Sequence, residues 1–165
     1  MPILDANSLE IFSRSPEQTR RIGMRLGIFL QPGDVICLQG ELGAGKTTLV
    51  QGVAQGWGSL DAVSSPTFIL VNIYRRPDSS SLFHLDAYRI GTISEAEELD
   101  LDEMLVKGPL VIEWPERIMP ILPEDHLWVQ LNYQEDEQRS MLFSPQGERF
   151  LQLMDEFRQS VFGAI

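Results

Sequence analysis

The chain has 165 residues, 43% of them hydrophobic, with 13 basic and 24 acidic side chains and a formal net charge of −11. This length suits a single core, so we predict one domain over residues 1–165. No apolar run approaches the roughly 20 residues that span a bilayer, and the start of the chain lacks the pattern of a secretory signal. We therefore expect a cytoplasmic protein without membrane association. The acidic balance argues against direct nucleic-acid binding, since that affinity comes mainly from clustered Lys and Arg.

The first elements are predicted to be a short edge strand, a helix and a buried strand. The strand covers residues 8–12. Ser15 is a suitable helix N-cap, Gln18 completes a capping-box pattern, and apolar residues at helical spacing extend this helix towards residue 30. Residues 34–39 form a short apolar run without alternation, which is typical of a strand covered on both faces. Cys37, the only cysteine, lies in this run and is predicted to be core packing.

The segment "GELGAGKTT", residues 40–48, has the spacing of a phosphate-binding loop between this strand and a second helix. Glycines let backbone N–H groups turn inward towards phosphate oxygens, and the following helix adds the positive end of its dipole. In such loops the lysine contacts the outer phosphates and the next hydroxyl binds Mg²⁺. The loop alone does not distinguish a kinase, a switch, a motor or a helper ATPase. The candidate nucleotide-binding residues are Gly40, Glu41, Leu42, Gly43, Ala44, Gly45, Lys46, Thr47 and Thr48.

The rest of the chain is predicted to form two hairpins, a buried strand and two helices. The first hairpin lies within residues 64–90, where two β-rich runs flank a turn-rich connection. An acidic helix capped by Ser94 covers residues 94–105. The later elements are a buried strand within 108–117, a hairpin of 126–133 with 137–144, and an amphipathic helix over 148–162.

Two acids interrupt apolar runs at predicted strand ends. Asp86 ends "SLFHLD" and Glu113 ends "PLVIE". Mg²⁺ on a bound triphosphate prefers one or two carboxylates, and open α/β sheets place ligands at the carboxyl ends of their strands. Both acids are therefore candidate metal ligands. The alternative is that each caps the turn that follows its strand.

Several other residues keep two interpretations. Thr67 in "SSPTF" could sense the γ-phosphate or could simply open a strand. His84 shares a strand face with Asp86 and is interpreted as a hydrogen-bonded structural histidine. Arg89 could lean towards phosphate or pair with an acid. Trp114 could pack on a nucleotide or on the core.

Five motifs occur in this order along the chain: "GELGAGKTTLV", "SSPTFILVNIY", "FHLDAYRI", "EELDLDEML" and "LVIEWPER". Together they resemble the TsaE (YjeE) family of bacterial ATPases, which are needed to make threonylcarbamoyladenosine in tRNA, and the resemblance runs from about residue 8 to residue 132. It implies an α/β fold: a three-layer P-loop NTPase-like domain with a mixed parallel and antiparallel sheet flanked by helices. It also implies an ATP- and Mg²⁺-dependent subunit that acts on the partners TsaD and TsaB. Those partners transfer the group and contact tRNA, in agreement with the acidic balance.

The resemblance also implies roles for individual residues. Lys46 would be the phosphate-contacting, catalytic lysine, and Thr47 and Asp86 would bind Mg²⁺. Glu113 would be the catalytic residue that orients the attacking water, and it could also ligate the metal. Thr67 would be a switch-like threonine, and Trp114 is a candidate nucleotide contact.

Two other functions remain as alternatives. A small-molecule kinase would usually carry an Arg-rich lid, and no insertion of lid length is visible. A nucleotide-dependent clamp would bind ATP without meaningful hydrolysis. We expect hydrolysis to be slow without partners, because no obvious arginine finger is supplied in cis, with Arg75, Arg76 and Arg89 as possible exceptions.

Overall fold

The computed structural model describes residues 7–63 and 70–163. Within these ranges seven strands form one mixed sheet. In chain order they are β1 (Leu9–Ser13), β2 (Val35–Gln39), β3 (Val71–Arg75), β4 (Ser81–Asp86), β5 (Leu110–Glu113), β6 (His126–Tyr133) and β7 (Arg139–Gln146). Their order across the sheet is β1-β7-β6-β2-β5-β4-β3. The sheet therefore places β2 and β5 at its centre, side by side.

The centre of the sheet is parallel and its two sides are antiparallel. Strand β2 pairs in parallel with β5 and β6, and β4 pairs in parallel with β5. Antiparallel pairs join β3 to β4, β6 to β7 and β1 to β7. The predicted edge strand and both predicted hairpins are confirmed over the described residues. Because β2, β4 and β5 run in the same direction, their carboxyl ends meet at one edge of the sheet.

Helices cover both faces of the sheet, as the predicted three-layer α/β architecture requires. On one face lie α1 (Pro16–Gly27), α2 (Lys46–Trp57) and α5 (Glu148–Arg158). On the other lie α3 (Ile93–Glu97), α4 (Leu101–Lys107) and the 3₁₀ segment Pro115–Ile121. Among the described residues, no helix combines the length and the apolar character that crossing a bilayer requires.

Strand β2 shows why the layers form. Ile36 and Leu38 pack into the core beneath α1 and α2, while Val35 and Cys37 pack into the core on the opposite face. All four side chains are fully buried, which confirms the prediction of a strand covered on both sides. Burial also raises the pKa of the Cys37 thiol, because desolvation disfavours the thiolate.

Helix α1 begins as predicted but ends earlier. The Ser15 hydroxyl accepts a hydrogen bond from the Gln18 N–H at 3.1 Å. The Gln18 side chain returns to the N–H of Arg14, at 2.7 Å, rather than to the Ser15 N–H of a standard capping box. The helix ends at Gly27, and the next residues form tighter turns in which the Leu30 N–H donates to the Gly27 carbonyl.

The prediction of one helix over residues 94–105, capped by Ser94, is wrong. Thr92 caps α3 by accepting from the Glu95 N–H, and α4 begins separately after Asp100. Asp100 has a left-handed φ of 53°, which separates the two helices. The break lets Ala96 and Leu101 both enter the core, whereas residues five apart on a continuous helix point about 140° from each other.

Candidate functional site

The phosphate-binding loop lies between the end of β2 and the start of α2, at the edge where the parallel strands end. Gly43 and Gly45 have φ values of 82° and 100°. These left-handed conformations favour glycine, because a β-carbon would clash with the backbone. Helix α2 begins directly after Gly45, so the N–H groups of its first turn face the loop. The predicted strand, loop and helix are therefore all present.

The Lys46 ammonium is held inside the loop. Its Nζ donates to the Gly40 carbonyl at 2.5 Å and lies 4.0 Å from the centroid of the Trp114 ring. Only 6% of the residue is exposed. Desolvation lowers the pKa of Lys46, against the opposing effect of nearby carboxylates, Glu113 and Asp86 first among them. The lysine is thus pre-positioned beside both acids that the sequence singled out.

Asp86 and Glu113 are register partners on the neighbouring parallel strands β4 and β5. Leu82 and Val111, which precede them at even spacing, pack into the core beneath α1 and α2. Side chains alternate along a strand, so both carboxylates also project towards the α2 layer. The two strand-end acids therefore meet on the side of the sheet that carries the loop.

Asp86 caps the turn that follows its strand, which is one of the two interpretations that its position allowed. One oxygen, Oδ1, accepts from the Tyr88 N–H at 2.9 Å and so caps the turn after β4. Burial raises the pKa of the Asp86 carboxyl; the Tyr88 N–H opposes this effect and the charge of Glu113 adds to it. Because the charge of Glu113 makes ionisation of Asp86 less favourable, a cation beside the two carboxylates would be attracted to them.

Glu113 is engaged by a buried histidine. The Nε2 atom of His84 lies 2.5 Å from Glu113 Oε2, and the Nδ1 atom lies 2.9 Å from the Tyr74 hydroxyl. Sequence reasoning placed His84 beside Asp86 but missed both its bond to Glu113 and the participation of Tyr74. Tyr74 lies between an isoleucine and an arginine on β3, and this local pattern carries no signal for the contact.

Trp114 contacts both the site and the core. Its ring faces the Lys46 ammonium and lies 4.9 Å, centroid to centroid, from the Tyr88 ring. The rest of the Trp114 side chain packs against the core on the α3 and α4 side of the sheet. Trp114 has a left-handed φ of 58°, uncommon for a bulky residue. This turn ends β5 directly after Glu113 and directs the indole towards the loop.

Thr47 follows Lys46 on the first turn of α2, and Thr48 comes next. Glu41 and Leu42 are exposed at the tip of the loop, and Ala44 is buried. Thr67 lies outside the described residues. Within the described ranges, no group of three or more His, Cys, Asp or Glu side chains forms a site built from protein ligands alone. Mg²⁺ does not need one, since it usually combines one or two carboxylates with waters and phosphates.

Two of the three arginines that the sequence left as possible exceptions lie away from the site. Arg75 lies opposite Ser81 at the start of β4, about 16 Å along the strand from Asp86 at ~3.3 Å per residue. Arg76 is next to it and pairs with Asp78. Both are therefore excluded as arginine fingers acting within the chain. Arg89 follows β4 on the exposed surface of the site's edge.

Arg139 is a basic neighbour of the loop that sequence reasoning missed. A β-carbon on Gly45 would lie 3.7 Å from Arg139 Cγ, so the side chain passes directly beside the loop. Its guanidinium lies 4.9 Å from the Tyr133 ring centroid and donates to the Asp136 and Gln138 carbonyls. Arg139 begins β7, far from the loop in sequence, and no local pattern could have indicated the contact.

Comparison with known proteins agrees with this arrangement. Residues 13–141 match the family model of the threonylcarbamoyl adenosine biosynthesis protein TsaE. The chain is 37% identical over 143 residues to the tRNA threonylcarbamoyladenosine biosynthesis protein TsaE of Bacillus subtilis, which covers 86% of this chain and 89% of that protein. The protein of the same name from Streptomyces coelicolor is 41% identical over 137 residues, covering 79% and 93%.

A crystal structure of Bacillus subtilis YdiB superposes with a TM-score of 0.76 and 31% sequence identity. The match covers 92% of this chain and 95% of that one. A match of this extent in sequence and in fold goes well beyond a shared phosphate-binding loop. The chain belongs to the TsaE family of threonylcarbamoyladenosine biosynthesis proteins.

Proposed function

We propose that this protein binds ATP with Mg²⁺ and hydrolyses it to drive threonylcarbamoyladenosine modification of tRNAs that read codons beginning with A. In this proposal it acts on a complex of TsaB and TsaD and does not transfer the group itself. The observation that carries the ATPase part is the convergence of Lys46, Asp86 and Glu113 at the edge of the sheet beside the loop. The partner part follows from family membership and from the net charge of −11, which leaves tRNA binding to other proteins.

The residues suit hydrolysis of a phosphoanhydride. Phosphoryl transfer to water requires positioning and charge neutralisation more than covalent chemistry. The loop N–H groups and Lys46 would hold the β- and γ-phosphates, with the lysine exchanging its bond to the Gly40 carbonyl for phosphate oxygens. Thr47 and Asp86 would hold Mg²⁺, which supplies further neutralisation of phosphate charge.

Glu113 is then the group that orients water. His84 contacts Glu113 Oε2, so Oε1 is the oxygen that would orient the water. Asp86 uses Oδ1 in its turn and can offer Oδ2 to the metal. The different partners of the two acids favour Asp86 as the metal ligand and Glu113 as the water-orienting base.

Phosphate release from MgATP tests this proposal, measured with the chain alone and with a TsaB–TsaD complex. We expect slow turnover alone and faster turnover with the complex. Glu113→Gln should reduce turnover about 100-fold or more, as loss of a general base does, while ATP affinity measured by calorimetry changes little. The control is Glu124→Gln, an exposed acid before β6 that lies away from the site.

Each result has a separate meaning. Equal rates with and without the complex would contradict the role of the partners. Phosphate release by Glu113→Gln at the native rate would contradict the catalytic role of Glu113. If cells that depend on the protein tolerate Glu113→Gln, hydrolysis is incidental and the chain acts as a nucleotide-dependent clamp.

A further inference from the structure

A chain of hydrogen bonds crosses three neighbouring strands beneath the site. It runs from Tyr74 on β3 through His84 on β4 to Glu113 on β5. These residues are 3%, 0% and 6% exposed. These hydrogen bonds therefore link Glu113, the candidate for orienting water, to two buried side chains that the proposed chemistry does not use.

The donors in this chain can be assigned from the acceptors. An ionised carboxylate only accepts, so His84 Nε2 donates to Glu113 Oε2. A neutral imidazole then has a lone pair on Nδ1, to which the Tyr74 hydroxyl donates. The Asn72 amide Nδ2, which can only donate, lies 3.5 Å from the Tyr74 hydroxyl oxygen and is compatible with this direction. A hydrogen bond from the Tyr74 hydroxyl to Nδ1 is therefore compatible with the ring form that donates to the carboxylate.

Apolar residues would fill this place at lower cost if packing were its only purpose. Leu82 and Leu85 lie on the same strand as His84 and are fully buried. A buried polar group costs free energy unless its partners are well placed. Here the partners are well placed, and the bond ends on the carboxylate at the site's edge rather than on another core group.

We propose that His84 is a positioning residue for Glu113, and that Tyr74 holds His84 in the required ring form. The bond to Oε2 fixes the rotamer of Glu113 and directs Oε1 towards the place of the attacking water. This inference rests on the proposed function, since it assigns a task to the support of Glu113.

Substitutions of His84 test whether the bond matters for turnover. His84→Leu removes the donor, whereas His84→Gln keeps an N–H near the position of Nε2. We expect His84→Leu to reduce kcat for ATP about 10- to 100-fold, the usual effect of removing a partner that orients a functional group, with KM within about twofold of the native value. His84→Gln should recover most of kcat. An equal reduction of kcat in both variants, or a change in KM without a change in kcat, would overturn the inference.

A double-variant comparison separates positioning from general damage to the fold. If His84 acts through Glu113, His84→Leu should cost little further activity in a Glu113→Gln background. If the double variant loses activity by the product of the two single-variant factors, the proposal is overturned.

Tyr74→Phe retains the ring and removes only the hydroxyl, so it should lower kcat less than His84→Leu does, even if the Leu variant folds poorly.

Nitrogen-15 NMR of the imidazole rings provides a readout that does not depend on activity. The chain has two histidines. His126 Nδ1 lies 2.9 Å from the Pro123 carbonyl, which can only accept, so this ring carries its proton on Nδ1. We expect the opposite form for His84, with the proton on Nε2, and a mixture of forms in Tyr74→Phe. A proton on Nδ1 of His84 in the native protein would contradict the assignment.

The outcomes distinguish this inference from the proposed function. If the native protein releases no phosphate with or without its partners, the proposed function fails and the positioning role fails with it. If Glu113→Gln abolishes turnover and His84→Leu does not change it, only the positioning role fails.

Discussion

Lys46 illustrates at the residue scale how the site is held ready. The ammonium is almost fully buried, and it is stabilised by the Gly40 carbonyl and the Trp114 ring. A cation facing an indole gains about 0.5–2 kcal/mol, with more when it is desolvated. These contacts compensate for the hydration that the ammonium loses on burial. The carboxylates of Glu113 and Asp86 lie close enough to oppose the lowering of the Lys46 pKa by desolvation.

Asp86 should make the ligand-free protein less stable at neutral pH. Its folded-state pKa lies above the ordinary value of 3.8, mainly because the carboxyl is desolvated. The folded protein therefore binds more protons than the unfolded chain, and stability falls as pH rises from 3.8 through the raised pKa. We expect Asp86→Asn, which can still accept from the Tyr88 N–H, to have a higher Tm than the native protein at pH 7 in metal-free buffer.

The gain in Tm of Asp86→Asn should disappear as the pH falls below 3.8, where the Asp86 carboxyl is protonated in both the folded and the unfolded protein. Thermal denaturation followed by circular dichroism across this range measures the difference. Asp155→Asn, an exposed residue of α5, controls for the loss of one negative charge in an acidic protein. A gain that persists unchanged at pH 3 would show that ionisation of Asp86 is not the cause.

The residue-scale site was only partly predictable. Lys46 and Thr47 follow from a local spacing, and Asp86 and Glu113 follow from acids at the ends of apolar runs. The His84–Glu113 bond joins residues 29 positions apart, and Arg139 approaches Gly45 from the far end of the chain. Such contacts depend on strand order and side-chain direction, which no short pattern encodes.

At the element scale, α1 and α2 pack with their backbones in unusually close contact. A β-carbon on Gly52 would lie 2.0 Å from the Arg20 carbonyl oxygen, and one on Gly27 would lie 2.1 Å from the Val53 carbonyl oxygen. Gly23 and Gly56 show similar proximity. Each helix thus carries two glycines four residues apart that face the other helix. The glycines hold α2, and with it the phosphate-binding loop, tightly against α1.

Gly52→Ala should destabilise the protein by about 1–3 kcal/mol, the usual cost of overpacking. Alanine is the better helix former by about 1 kcal/mol, so a loss would show that the helix contact dominates over propensity. Urea denaturation measures the change. Gly91→Ala is the control, because its nearest non-neighbouring atom is a flexible Glu95 oxygen at 3.7 Å. Equal stability of the two variants would contradict close packing between the helices.

At the scale of the whole molecule, an ion pair joins the C-terminal helix to the start of the central strand. Arg149 of α5 donates from Nε and Nη2 to Asp34 at 2.9 and 2.7 Å, and also to the Phe29 carbonyl. The Asp34 side chain is 4% exposed and also accepts from the Gln31 N–H. The pair connects α5, β2 and the end of α1, and so supports the strand that leads into the loop.

Arg149→Met should destabilise the protein by about 3 kcal/mol, since it leaves the Asp34 carboxylate buried without its cation. Lys107→Met is the matched control. Lys107 pairs with Glu103 on α4, where both side chains are about 60% exposed, and such a pair contributes less than about 0.5 kcal/mol. Urea denaturation measures the free energy of unfolding of both variants. Similar small decreases in the two would show that the Arg149–Asp34 pair does not stabilise the fold.

Sequence alone determined the phosphate-binding loop, the two hairpins and the two acids at strand ends, and the resemblance to the TsaE family implied the α/β class. The local features follow from periods of two and 3.6 residues and from turn chemistry, all of which act over a few neighbouring positions. Tertiary structure decided the break at Asp100, where the core accepts both Ala96 and Leu101. It also brought Tyr74, His84 and Glu113 into one hydrogen-bonded chain, because side chains from three strands meet only after the sheet has assembled.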